Sequence, residues 1–222
     1  MSFNVAIDGP AGAGKSTIAR AVAKKLNLIY VDTGAMYRAM ALLVLRNGIE
    51  PDDTAAVIET CCGADISICY QDGEQVVMLN GENVNPYLRT EEVGNVTSVI
   101  STIPKVREKM VELQHELAAS SDCIMDGRDI GTCVLPNAQL KVYLTADSAV
   151  RAKRRYDELA AKGQVCDLQK IQADIEDRDY RDMHREISPL RQAEDAVLVD
   201  TSSMTVQEVI DHLIRLCLER KE

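Results

Sequence analysis

The chain has 222 residues, 46% of them hydrophobic and 27% charged, with a formal net charge of −10. That length suits one well-buried core with a small inserted lobe, and the acidity argues against binding nucleic-acid polymers, although a local basic pocket for a small anion stays open. No stretch approaches the roughly 18 to 20 apolar residues of a membrane helix, and no positively charged leader precedes an apolar run, so no membrane contact and a cytoplasmic location are expected.

The first predicted element is a strand, "FNVAID" (3–8), which runs directly into "GPAGAGKS" (9–16). The octet fits G-x-x-x-x-G-K-[ST], and a helical pattern at 15–25 follows it. Strand before and helix after are the context a phosphate loop requires. Gly9, Gly12 and Gly14 permit turns that aim backbone N–H groups at phosphate oxygens. The helix start adds its positive dipole end, roughly half a unit charge. Lys15 can reach β- and γ-phosphates, and the Ser16 hydroxyl can ligate Mg²⁺. The pattern signals nucleotide binding without choosing between hydrolysis, transfer and sensing.

Next come a strand at 28–32 ("LIYVD") and a helix at 35–47, stopped by Gly48. Arg38 lies just past the second strand, where the ends of parallel strands gather ligands. Residues 65–88 then break the rhythm with alternating strand character and turn signals at Asp72-Gly73 and Asn80-Gly81, which predict a small inserted antiparallel sheet. A helix at 104–119 and a strand at 123–126 ("CIMD") follow. Asp126 ends that strand, placed to hold magnesium waters opposite Ser16, and Arg128 comes just after. A strand at 140–146, helices at 147–162 and 168–185, a strand at 196–200 and a helix at 205–220 complete the chain. The last helix opens on a Thr205…Glu208 capping box. The alternation predicts an α/β fold with a parallel sheet and crossover helices.

Seven of the fifteen arginines fall between 151 and 191. On predicted helices, Arg151, Arg154 and Arg155 share one face, as do Arg178, Arg181, Asp182 and Arg185. Helix salt bridges are the plain explanation, since aspartates alternate with them. The other is an arginine-rich lobe folding over a triphosphate, where preset donors stabilise a moving phosphoryl group. The seven cysteines show no C-x-x-C spacing, so reduced and mostly buried thiols are expected. His115, His184 and His212 are too scattered for a transition-metal site. No N-K-x-D guanine reader occurs. A small kinase, with a second anion site for its acceptor, is favoured; an ATP-sensing module remains the rival.

"AIDGPAGAGKSTIARAVAKKL", "YVDTGAMYRA", "IMDGRDIGT" and "RDYRDMHREISPL", in this order, closely resemble the bacterial cytidylate kinases of the nucleoside monophosphate kinase group. The resemblance implies a three-layer P-loop fold with a central five-stranded parallel sheet, a helical lid and an inserted antiparallel sheet. Residues 1–60, 99–147 and 189–222 would form the core, 61–98 the monophosphate lobe, and 148–188 the lid. It implies γ-phosphoryl transfer from ATP, with Mg²⁺, to CMP or dCMP in a monomer; another acceptor such as UMP or AMP is the alternative. Gly9, Pro10, Ala11, Gly12, Ala13, Gly14, Lys15, Ser16, Thr17 and Arg154 would bind ATP, with Ser16 and Asp126 (through water) serving the metal. Thr33, Arg38 and Arg128 would meet the acceptor phosphate. Ser98, Arg107 and Asp129 would read cytosine, and Arg178, Asp182 and Arg185 would hold the sugar or phosphate. Lys15, Arg128, Arg181 and Arg185 would be catalytic. Relatives often have serine where Thr33 stands; the hydroxyl survives.

Overall fold

The computed structural model describes residues 2–71 and 73–221. In chain order its elements are β1 (Asn4–Asp8), α1 (Lys15–Leu26), β2 (Ile29–Asp32), α2 (Thr33–Arg46), α3 (Thr54–Gly63), β3 (Ile66–Gln71), β4 (Glu74–Leu79), β5 (Glu82–Asn83), α4 (Glu91–Ile100), α5 (Pro104–Ser120), β6 (Cys123–Gly127), β7 (Leu140–Thr145), α6 (Ser148–Ala161), α7 (Leu168–His184), β8 (Val197–Asp200) and α8 (Val206–Lys221). A 3₁₀ turn spans Asn85–Tyr87 and a π turn spans Ile130–Val134.

Five strands make a parallel sheet in the order β2-β6-β1-β7-β8. Asn4 pairs with Cys123 and Asp8 with Gly127, while Val5 on the other side pairs with Leu140 and Asp8 with Tyr143. Strands covered on both faces read as continuous apolar runs rather than alternating ones, and β1 and β6 follow that rule, with Val5, Ala6, Ile7, Ile124 and Met125 all at 0% exposure. The phosphate loop therefore springs from the carboxyl end of the most central strand. A separate antiparallel sheet, β3-β4-β5, is the inserted one. Its second turn has Asn80 at φ 49° and Gly81 at φ 81°, the pair of positive angles a tight hairpin needs. Of the first turn only Gly73 (φ 78°) is described, Asp72 lying outside the described residues.

The chain forms two compact units, Phe3–Ile29 with Asp122–Glu222, and Met1–Ser2 with Tyr30–Ser121. The first holds the phosphate loop, β6, β7, β8 and the helices α6, α7 and α8. The second holds α2 to α5 and the inserted sheet.

Some expectations need correcting. Helix α3 carries no strong periodic apolar stripe, whereas α4 buries Val93, Val96 and Ile100 at helical spacing; the sequence reading assigned neither, and their starts are held by Asp53, which accepts from Ala56 N, and by Thr90, which accepts from Val93 N. Strand character does not extend to residue 88, because β5 ends at Asn83 and the 3₁₀ turn follows. Helix α7 stops at His184, and Arg185 is extended (ψ 143°), so it leaves the arginine face it was expected to continue. All seven cysteines are free, but only Cys61, Cys123 and Cys217 are buried, while Cys62 and Cys133 are exposed. Burial pushes the three buried thiols up, to about 11, 12 and 11, so they are not thiolates. The α8 box forms as expected, with Thr205 N donating to Glu208 and Glu208 N to Thr205 Oγ1. Among the described residues no helix is long and apolar enough to cross a membrane.

Candidate active site

Gly9 is the first fixed point of the loop. Its φ is +151°, and a Cβ there would overlap the carbonyl oxygen of Leu144 on β7. The chain can turn off β1 at this position only without a side chain. Gly14, at φ 89°, precedes α1, whose first residue is Lys15.

Lys15 is 6% exposed and its Nζ donates to the carbonyls of Gly9 (2.7 Å) and Pro10 (2.8 Å). Burial, and then the nearby Arg128 guanidinium, push its pKa down to about 7, against the pull of Asp126, Asp8 and Asp182. Ser16 Oγ donates to Asp126 Oδ2 at 3.0 Å, and Asp126 is buried at the end of β6. Hydroxyl and carboxylate so close are the hard oxygen donors that suit Mg²⁺. Among the described residues no group of three His, Cys, Asp or Glu side chains could hold a metal by itself. An ion beside Ser16 would therefore draw ligands from phosphate and water. Asp8, the last residue of β1, accepts from the N–H groups of Ile130 and Gly131, both at 2.7 Å. Burial pushes it up to about 6 in spite of those two donors.

A second cluster in the same unit joins β6 to the helical pair. Arg128 Nε donates to Asp182 Oδ2 at 2.7 Å, and Arg185 Nη2 lies 3.4 Å from Asp129 Oδ1. Burial works against the charge on Arg128, yet Asp182, with Asp126 and Asp179, outweighs it and holds the guanidinium above its ordinary pKa. Asp182 is likewise held below the usual carboxylate range: burial opposes this, and Arg128, Arg178 and Arg185 overcome it. The structure thus gathers Arg128, Arg178, Asp182 and Arg185 as one charge network, with Asp126 and Lys15 in its field.

The other predicted lid residues separate in role. Arg151 is buried and tied to Asp179. Arg154 donates to Thr201 Oγ1 (3.1 Å) and to the Thr201 carbonyl (2.7 Å), while Arg155 is exposed and pairs with Glu158. Arg181 is exposed and donates to the Asp177 carbonyl of its own helix. The face expected of Arg151, Arg154 and Arg155 is therefore not one surface with one task.

In the unit of Tyr30–Ser121, Asp32 caps α2 by accepting from Ala35 N at 2.9 Å. Thr33, buried, opens the helix, and Arg38 Nη1 lies 3.9 Å from Asp32 Oδ1. Arg89 reaches the other oxygen of the same carboxylate at 3.0 Å. Ser98, on α4, donates to the Gly94 carbonyl; Arg107, on α5, reaches the Ser101 carbonyl at 3.5 Å. Arg107 is 6% exposed, so it is not a solvated helix charge.

Sequence reasoning missed Asp8, Arg89 and Asp179. Asp8 stood inside the quoted "AIDG" but carried no motif role of its own. Asp179 was one of several aspartates in an alternating run, and only folding singles it out as the buried residue of α7.

Comparison with known proteins shows the family. The sequence model of the family described as cytidylate kinase matches residues 5–219. A cytidylate kinase of Caldicellulosiruptor bescii is 50% identical over 214 residues, covering 96% of this chain and 95% of that protein. One from Lactobacillus johnsonii is 47% identical over 220 residues, covering 99% and 96%. The crystal structure of shikimate kinase from Bacteroides thetaiotaomicron shares the fold, with a TM-score of 0.50 at 14% identity and 98% of each chain covered. A match across nearly the whole chain, together with relatives this similar, makes the chain a member of the cytidylate kinase family.

Proposed function

We propose that the chain transfers the γ-phosphoryl group of ATP to CMP and dCMP. An acceptor phosphate oxygen attacks the γ-phosphorus in line, the bond to the β,γ-bridging oxygen breaks, and ADP leaves with CDP or dCDP as product. No covalent intermediate and no strong base are needed, so positioning and charge do the work. Holding both reactants in register can supply on the order of 7 to 11 kcal/mol of the barrier.

In this reading residues 9–17 cradle ATP, with Lys15 on its terminal phosphates and Arg154 nearby. Ser16 and, through water, Asp126 would hold Mg²⁺ with ATP, and the ion would supply charge neutralisation to the triphosphate. Thr33, Arg38 and Arg128 take the acceptor phosphate; Ser98, Arg107 and Asp129 read the base; Arg178, Asp182 and Arg185 hold sugar and phosphate. Arg181 is assigned to the transferring group by the resemblance alone. Residues 61–98 act as monophosphate lobe and 148–188 as lid. The observation that supports this best is the charge network of Arg128, Arg178, Asp182 and Arg185, whose field reaches a buried phosphate-loop lysine. A nucleotide sensor has no use for such a second set of guanidinium groups.

A coupled ADP-release assay across CMP, dCMP, UMP and AMP, with and without Mg²⁺, tests the assignment. CMP and dCMP should be turned over with the highest kcat/KM, and chelation of Mg²⁺ should stop turnover. A preference for UMP or AMP would refute the acceptor. The resemblance also implies a monomer, which gel filtration at micromolar concentration checks.

A further inference from the structure

Gln75 is a polar residue buried within β4, 8% exposed, on a strand whose neighbours Val76, Val77 and Leu79 are core residues. A buried amide is costly unless its donors and acceptor are used. Here they are spent on one residue. The Oε1 of Gln75 accepts from the Asp32 N–H at 2.7 Å, and its Nε2 donates to the Asp32 carbonyl at 3.3 Å. The side chain thus brackets the backbone of Asp32 as a neighbouring strand would.

Asp32 is the residue whose conformation sets the "VDTG" turn. Its carboxylate caps α2, receives Arg89 on one oxygen and lies near Arg38 on the other. The turn is tight: a Cβ at Gly34 would stand 3.2 Å from Asp32 Oδ1 and 3.3 Å from Arg38 Nη1. A small rotation of Asp32 would therefore move Thr33 and the Arg38 guanidinium together. The inserted sheet holds β2 at a second point, since the Tyr70 hydroxyl on β3 donates to the Tyr30 carbonyl at 3.0 Å. The 3₁₀ turn after β5 braces Gln75 itself. Asn85 donates to the Gln75 carbonyl at 2.7 Å and accepts from Val77 N at 3.0 Å.

We propose that the inserted antiparallel sheet is an acceptor-positioning device, with Gln75 as its positioning residue. By fixing the backbone of Asp32 it presents Thr33 and Arg38 to the monophosphate. The inference rests on the acceptor-site reading given above. It predicts an asymmetry that a merely structural role would not produce: the acceptor KM depends on Gln75 and the ATP KM does not.

The test is steady-state kinetics on the full chain with melting temperatures alongside, for the wild type, Gln75→Leu and Tyr70→Phe. Gln75→Leu keeps the bulk and removes both hydrogen bonds, so the CMP KM should rise about tenfold while the ATP KM stays within about twofold. Tyr70→Phe removes one bond and should shift the CMP KM in the same direction by less. Acceptor and ATP KM rising together, or an unchanged acceptor KM in a folded Gln75→Leu, overturns the proposal. Should Gln75→Leu fail to fold, Tyr70→Phe decides, and an unchanged acceptor KM there overturns it. Preference of the wild type for another monophosphate would defeat the CMP reading alone; the asymmetry is then measured with that acceptor.

Discussion

Arg151 and Asp179 form an ion pair at 2.5 Å, and together they grip both backbone groups of Ala11 in the phosphate loop. Asp179 Oδ1 accepts from the Ala11 N–H at 3.2 Å, while Arg151 Nη1 donates to the Ala11 carbonyl at 2.9 Å. A further bond from Arg151 Nε to the Ala146 carbonyl, 2.8 Å, secures the guanidinium. Two helices that the sequence presented as an arginine-rich lobe are thereby fastened to the loop.

Removing one partner of a buried pair leaves the other charge uncompensated, which costs about 3 to 5 kcal/mol. Asp179→Ala should lose stability in that range, measured by urea denaturation. The ATP KM should rise as well, because Ala11 loses its anchor. A loss below about 1 kcal/mol would place the pair among the solvent-screened ones.

On the proposed ATP site, Lys15 should make nucleotide affinity proton-linked. With its pKa pushed down to about 7, the folded chain lacks a proton between about 7 and 10.5 that the unfolded chain holds, so this group makes stability rise with pH in that window. A triphosphate bound there would restore the charge. ATP binding should therefore take up about one proton near pH 8 and close to none near pH 6, read by titration calorimetry in buffers of differing ionisation enthalpy. Lys15→Met should abolish the uptake and, if Lys15 meets the transferring phosphoryl as proposed, lower kcat by about 10²- to 10³-fold. Uptake that persists in Lys15→Met would assign the proton elsewhere.

How much of this was legible beforehand depended on the kind of signal. The phosphate loop and five parallel strands announce themselves locally, through glycine spacing and short apolar runs. The hairpin at Asn80-Gly81 does so through its Asn-Gly pair, and both residues have the positive φ such a turn needs. Asp126 was expected opposite Ser16 from its place at a strand end, while the order that sets β6 beside β1 comes only with the structure. The roles of Asp8, Gln75 and Asp179 had no such signature. Each works by meeting backbone groups distant in sequence, such as Ile130 for Asp8 and Ala11 for Asp179, so only the folded register reveals them. Arg107 shows the same limit, because its helix spacing does not tell its buried face from a solvated one.

Gly9→Ala separates steric demand from loop chemistry. The methyl group would meet the Leu144 carbonyl, a backbone atom of a central strand that has no freedom to withdraw. Either β1 and β7 part or the loop moves off its path. A melting temperature lowered by several degrees, on the order of 2 to 4 °C per kcal/mol for a chain of this size, should accompany loss of ATP binding. Gly14 has open space around its Cβ position, so Gly14→Ala should cost less, through its φ of 89° alone.

The proposed base reader is the place where substrate choice can be changed. Cytosine offers an exocyclic amino donor where uracil has a carbonyl oxygen. A carboxylate accepts from the first and repels the second, a difference that can reach roughly 10⁴-fold in sites built this way. Asp129→Asn keeps the shape but can turn either its oxygen or its amino group toward the base. It should therefore narrow the CMP-to-UMP ratio of kcat/KM by at least about tenfold, with the ATP KM little changed. Its partner makes the test sharper, because Arg185 lies 3.4 Å from Asp129 and would lose an ion pair as well. Arg185→Lys keeps the charge but loses the planar fork, so it should weaken CMP and UMP alike without altering their ratio. A ratio that moves with Arg185→Lys and stays fixed in Asp129→Asn would give the base-reading role to the arginine.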